Sequence, residues 1–136
     1  MRISRAPAFL AEADALLTRE YPDFEVLWYG HIGDGNLHIN ILKPATLDHP
    51  AFVAKCGVVS EHLFEILQRY GGSISAEHGV GLTKKPYLHY TRNAAEISYL
   101  RAIKLAFDPN GIINPGKIFD ASPLVAEPGA TLLDPE

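Results

Sequence analysis

The chain has 136 residues, of which 47% are hydrophobic, 21% charged and 10% aromatic, and its net charge is −4. That composition suits one globular domain able to bury roughly two-thirds of its unfolded surface without disulfide staples. The acidic balance and the absence of a Lys/Arg stripe argue against nucleic acid and anionic membrane surfaces as partners, and a single cysteine, Cys56, leaves no internal disulfide or multi-cysteine metal site.

In chain order, the first element is a helix from about Pro7 to Arg19. Pro7 suits an opening helical turn, and Phe9, Ala13, Leu16 and Leu17 fall on one face. Two strands follow, Phe24–Tyr29 and Leu37–Leu42, joined by the glycine-rich loop Gly30-His31-Ile32-Gly33-Asp34-Gly35 into a β-hairpin. A long helix then starts at Asp48 as N-cap with Pro50 in its first turn. Its apolar stripe, Phe52, Cys56, Val59, Leu63, Ile66 and Tyr70, advances by three or four residues until Gly71-Gly72 stops it. A short strand is expected at Ser73-Ile74-Ser75 and another near Ile113. The last helix begins at Asn93, with Glu96 completing a capping box, and Ile97, Leu100, Ile103 and Phe107 form its expected buried side before Asp108-Pro109-Asn110-Gly111 ends it. The pattern is α+β, an antiparallel sheet with helices packed on one face. A domain over residues 1–120 and a mobile tail over 121–136, rich in proline, complete the reading.

No apolar run approaches the roughly 18 residues of a membrane span, and the N-terminus lacks a signal-peptide core. A reduced, cytoplasmic setting is expected. Neither a G-x-G-x-x-G nor a G-x-x-x-x-G-K-[ST] loop occurs, so a dinucleotide or redox cofactor would be held mostly by another piece of protein.

Strand alternation places Leu37, Ile39 and Ile41 on one face, toward the helices, and His38, Asn40 and Leu42 on the other. His31 lies across the loop and converges on His38 if the loop folds back. Taken alone, the two histidines read as a turn end at His31 and a half-exposed position on a solvated sheet face at His38. A second cluster, Ser75-Ala76-Glu77-His78-Gly79-Val80-Gly81, puts a carboxylate beside an imidazole among small residues that permit close backbone approach. Alone it also reads as a solvated turn. Together, two histidines and a carboxylate make a three-ligand set for a catalytic divalent metal. In an extended segment Glu77 and His78 point to opposite sides, which leaves His78 as a general base beside the metal. His49, His62 and His89 carry no such signal. Cys56 reads as a small buried hydrophobe. Lys84-Lys85 is a solvated basic pair, with steering of an acidic substrate as the lesser reading.

Three segments, GHIGDGNLHIN, GGSISAEHGVG and FDPNGIINPGKIF, occur in an order and spacing that resemble the C-terminal half of the FAD-linked oxidases and dehydrogenases of 2-hydroxy acids. The likeness spans about Pro22 to Phe119. It implies a divalent ion, zinc in most such proteins, held by His31, His38 and Glu77. It implies His78 as catalytic base, Asn40 as a substrate contact, and Asn114 and Lys117 near the flavin. It also implies a ferredoxin-like cap-domain half, a small 2-hydroxy-acid substrate, and a separate FAD-binding domain in cis or in trans. The chain alone is then expected to be inactive. Cutting such a unit from its neighbour exposes apolar surface, for which Phe24, Trp28 and Tyr29 are candidates, so self-association is a further expectation. Two other classes remain open: a stand-alone metal- or acid-binding association module, and a metal-assisted hydrolase. Neither requires the FDPNGIINPGKIF segment.

Overall fold

A computed structural model describes residues 1–31 and 33–120. A short 3-10 turn, Ile3–Arg5, leads into α1 (Ala6–Glu20); β1 (Glu25–His31) and β2 (Asn36–Leu42) follow, then α2 (His49–Arg69), a 3-10 segment Lys85–Tyr90, and α3 (Ala94–Phe107). The expected tail over 121–136 lies outside the described residues.

β1 and β2 pair antiparallel, from Glu25 opposite Leu42 to His31 opposite Asn36. The ladder therefore takes in Gly30 and His31, two residues expected in the loop. Gly30 permits this because a Cβ there would sit 2.1 Å from the Asn36 carbonyl oxygen, which no side chain tolerates. The turn is closed by Asp34, whose Oδ1 accepts the Asn36 N–H at 2.9 Å.

The core lies between one face of this hairpin and the two longer helices. Phe9, Ala13 and Leu17 of α1 meet Val59, Leu63, Ile66 and Leu67 of α2, and Ile74 joins them from the segment after α2. Val26, Trp28, Leu37, Ile39 and Ile41 pack against this cluster from the inner sheet face. The α2 stripe thus lands where its spacing puts it, and Asp48 caps the helix by accepting the Ala51 N–H at 2.8 Å. The architecture is α+β with helices on one sheet face. Among the described residues the sheet has two strands, half of a complete ferredoxin-like sheet. No described helix is long and apolar enough to cross a membrane.

Three expectations need correction. Ser73–Ser75 and the stretch around Ile113 are not strands. Ile74 is instead a buried anchor, 5% exposed, whose N–H donates to Thr91 Oγ1 at 3.0 Å, so its backbone is satisfied by a side chain rather than a ladder. The α3 face expected to be buried is not: Ile97 is half-buried, Leu100, Ile103 and Phe107 are exposed, and no α3 residue is buried. Periodicity reports which side of a helix is apolar but not whether this domain supplies a partner for it. Phe24 and Trp28 pack against the core, leaving Tyr29 alone of that aromatic trio exposed. Among the described residues, the four most exposed large apolar side chains lie on and after α3, at Tyr99, Phe107, Ile112 and Ile113.

Candidate functional site

The hairpin register gives the site its first half. Paired residues share a face, so Leu27, Tyr29 and His31 stand with Asn36, His38, Asn40 and Leu42 on the side away from the helices. His31 and His38 are diagonal neighbours there, with ring centroids 5.9 Å apart. The ladder, rather than a loop folding back, brings them together.

The second half arrives from the segment after α2. Gly71-Gly72 ends that helix, Ile74 plugs into the core, and the next residues bend over the outer edge of β2. Gly79 adopts φ +73°, a left-handed conformation that glycine takes without strain, and Ser75 Oγ donates to its carbonyl at 2.6 Å, closing the bend. Glu77 then meets the hairpin histidines: its Oε1 is 3.3 Å from His38 Nε2 and its Oε2 is 4.0 Å from His31 Nδ1. His78 Nε2 is also 3.3 Å from Glu77 Oε1, and its ring lies 5.9 Å from that of His38. The expectation that Glu77 and His78 point apart therefore fails, because the segment is bent rather than extended and both side chains turn toward one place.

His31, His38 and Glu77 each offer one donor atom, and these atoms lie within 4.8 Å of one another. Two ligands on one tetrahedral zinc are about 3.3–3.4 Å apart, given metal–ligand bonds of about 2.0–2.1 Å. The His38–Glu77 spacing meets that value, and side-chain movement of about an ångström closes the rest of the set. Two imidazoles and one carboxylate are also a donor set suited to zinc or another borderline divalent ion. The residues fit such an ion.

A cleft of about 920 Å³ runs from this cluster along β2 toward α2. His38, Asn40, Ser75, Glu77, His78 and Lys84 line its polar side, while Ile39, Val59, Leu63 and Phe64 form its apolar floor. Asn40, expected to contact substrate, thus shares a cavity with the cluster. Its Nδ2 donates to Tyr29 Oη at 3.1 Å. The basic pair splits: Lys84 faces the cleft, whereas Lys85 is held by the Gly116 carbonyl at 3.1 Å and by Asp120 at 2.5 Å. Cys56 also borders the cleft, and burial pushes its thiol pKa up, away from thiolate chemistry.

Asn114 and Lys117 do not join the cluster. They line a separate cavity of about 220 Å³ with Lys104, Ile113 and Phe119. Their segment is tied to the bend by the Ile118 N–H, which donates to the Gly81 carbonyl at 2.9 Å. The other histidines have structural partners or none: His62 Nδ1 shares a hydrogen bond with Tyr21 Oη at 3.0 Å, and His89 Nδ1 with the Pro86 carbonyl at 3.0 Å.

Two site residues escaped the sequence reading. Asp34 Oδ2 lies 3.8 Å from His31 Nδ1, and Tyr29 stacks on His38. The period-2 alternation that paired His38 with Asn40 also joins Tyr29 to His31 once β1 is extended through Gly30.

A family model described as FAD linked oxidases, C-terminal domain, matches residues 1–118. The chain is 60% identical over 119 residues to a D-2-hydroxyglutarate dehydrogenase of Stutzerimonas stutzeri, an alignment covering 88% of this chain and 26% of that protein. It is 58% identical over 120 residues to a D-2-hydroxyglutarate dehydrogenase of Xanthomonas citri, covering 88% and 25%. It is 45% identical over 89 residues to a D-2-hydroxyglutarate–pyruvate transhydrogenase of Saccharomyces cerevisiae, covering 65% and 17%. The chain spans about a quarter of the length of the first two relatives.

Proposed function

Since this chain belongs to the FAD-linked oxidases' C-terminal domain family, we propose that it is the metal- and substrate-binding part of a flavin-dependent 2-hydroxy-acid dehydrogenase, with D-2-hydroxyglutarate its substrate. The observation that carries this reading is the meeting of His31, His38 and Glu77 within 4.8 Å, with a fourth group, His78, beside Glu77 in the same cleft.

In this reading His31, His38 and Glu77 hold a divalent ion, zinc by their donor set, and Asn40 orients the substrate from the neighbouring strand position. When bound, the ion supplies Lewis acidity toward the substrate's hydroxyl and carboxylate oxygens, and the flavin supplies the two-electron acceptor. His78 takes the hydroxyl proton. Its Nε2 faces Glu77, which favours the tautomer carrying hydrogen there and leaves the Nδ1 lone pair as acceptor. The Glu77 carboxylate then stabilises the imidazolium that forms. Lys84, on the wall of the same cleft, adds positive charge that draws an acidic substrate in.

FAD is held mainly by a partner domain, in cis or in trans, with Asn114 and Lys117 at its border. Exposed Tyr99, Ile103 and Phe107 offer that domain an apolar face. The setting is cytoplasmic, where a lone cysteine stays reduced. An association module or a hydrolase explains less, because the relatives at 58% and 60% identity carry dehydrogenase names.

The test loads the chain with zinc, supplies an FAD-binding domain from a relative, and follows D-2-hydroxyglutarate oxidation by dye reduction. Oxidation that disappears in His78→Asn while the zinc content stays at one ion per chain supports the reading. Absence of bound zinc, or full activity in His78→Asn, overturns it.

A further inference from the structure

Tyr29 sits opposite His38 in the β1–β2 register. Its ring lies 4.9 Å from the His38 ring with only 2° between the planes, an offset stack, while its hydroxyl takes the amide hydrogen of Asn40 at 3.1 Å. One side chain thus touches two groups with different jobs in the proposed site. The contact is not core packing, because Tyr29 is 53% exposed and points away from the helices.

We propose that Tyr29 is a positioning residue: its ring sets the orientation of the His38 imidazole toward the metal, and its hydroxyl sets the orientation of the Asn40 amide toward the substrate. The inference rests on the reading of His38 as a metal ligand and Asn40 as a substrate contact, and it separates two functions within one residue. His38 Nε2 already faces Glu77 at 3.3 Å, so the stack acts on the donor atom itself by restricting rotation of the ring behind it. At Asn40, the hydrogen bond uses one amide hydrogen. Among the described residues the carbonyl oxygen and the second amide hydrogen have no other partner, which leaves them available to a hydroxyl or carboxylate in the cleft that Asn40 lines.

The two parts come apart in two variants of the full chain. Tyr29→Phe keeps the ring and deletes the hydroxyl, while Tyr29→Leu deletes both. Cobalt(II), followed by its d–d absorption, reports the metal site without any turnover. 2-Oxoglutarate, the keto acid matching the proposed substrate, reports the Asn40 side when titrated into the cobalt-loaded chain. Tyr29→Leu is expected to weaken cobalt binding roughly tenfold, the low end for loss of a group that orients a metal ligand. Tyr29→Phe is expected to bind cobalt within about twofold of the parent chain but to weaken 2-oxoglutarate roughly fivefold, the effect of one neutral hydrogen bond. The His38 ring protons, shifted by the Tyr29 ring current, should move in Tyr29→Leu and stay in Tyr29→Phe whether or not metal is present.

Unchanged cobalt affinity in Tyr29→Leu, or equal loss of cobalt in both variants, overturns the proposal while leaving the metal site intact. Failure of the parent chain to bind cobalt overturns both the proposal and the reading beneath it. Circular dichroism of each variant confirms that the exposed substitution leaves the fold in place.

Discussion

Replacing Ile74 with alanine should damage the site from inside the core. Ile74 is 5% exposed and packs with Leu63, Ile66 and Leu67, and it stands three residues before Glu77. Removing its outer carbons leaves a cavity lined by these α2 side chains, for a loss of about 3 kcal/mol, against about 1 kcal/mol for Ile74→Val. For a chain of this size that corresponds to a fall in Tm of about 10 °C. Urea unfolding followed by far-UV circular dichroism measures the stability term. The second consequence is local. Ile74 and its hydrogen bond to Thr91 pin the start of the segment carrying Glu77 and His78. Cobalt affinity, corrected for the folded fraction, should therefore fall roughly tenfold, as when the surroundings of a metal ligand are loosened. Leu17→Ala provides the control. Leu17 is 2% exposed on α1, outside the residues that line the cleft, and its truncation costs a similar 3 kcal/mol or so. It should leave cobalt affinity within about twofold. Equal loss of affinity in the two variants would refute the reasoning, because the site would then follow global stability rather than its anchor.

Saturating the proposed metal site should stabilise the fold: zinc at about 100 times its Kd adds about 2.7 kcal/mol. The accompanying rise in Tm by calorimetry should vanish in Glu77→Gln, which lacks the carboxylate shared by His38 and His78. Asn93→Ala removes the Oδ1 that accepts the Glu96 N–H in the α3 capping box, leaving the reciprocal bond from the residue-93 N–H to Glu96, at a cost of about 1 kcal/mol. Because no α3 residue is buried, that loss should appear as faster amide exchange at Ile97 and Leu100 rather than as a matching shift of the global urea midpoint. At Asp108, the Lys104 ammonium at 2.5 Å, aided by the Ile112 and Ile113 N–H groups, lowers the carboxyl pKa below its ordinary 3.8, against an opposing push from burial. A folded-state pKa below the unfolded value contributes stability that is complete above pH 3.8 and is lost as the pH falls through the lower value. The gap in Tm between the parent chain and Asp108→Asn should therefore be widest near neutrality and close in strong acid.

Elements whose signals are local were legible in the sequence. The α2 stripe, its Asp48 cap and the Asn93–Glu96 capping box all depend on residues within a few positions of one another, and each appears as read. The inner-face residues Leu37, Ile39 and Ile41 followed from alternation alone. What failed was the reading of each segment's surroundings. The apolar side of α3 is real, but what it packs against is not a local property, and the described domain leaves Phe107 83% exposed. A β-branched residue between serines after a glycine stop, as at Ile74, has the same signature whether it pairs with a strand or plugs a core. Within the site, His38 follows from strand alternation, His31 from a loop expected to fold back, and Glu77, 39 positions beyond His38, from the residue types of a three-ligand set, which the resemblance then supports. No periodicity connects them. Asp34 and Tyr29 were missed because the loop was drawn two residues too long, which hid the face that Tyr29 shares with His31.

The two halves of the site differ in how firmly the chain holds them, and this gives the proposed ion a structural consequence. His31 and His38 ride on a ladder whose inner face packs on the core, so their relative placement is set by backbone hydrogen bonds and by the burial of Val26, Trp28 and Ile39. Glu77 and His78 ride on a bend held by the Ile74 plug, the Ser75–Gly79 hydrogen bond and the Ile118 contact to Gly81. In the absence of metal, the Glu77 carboxylate and its neighbouring imidazoles are the described side chains that join these halves directly at the site. A divalent ion accepted there replaces those partly exposed, solvent-screened contacts with coordinate bonds from both sides. Metal should therefore protect the amides of residues 75–81 from exchange far more than those of β1 and β2. Equal protection of both halves would mean that the bend is already as firmly held as the hairpin.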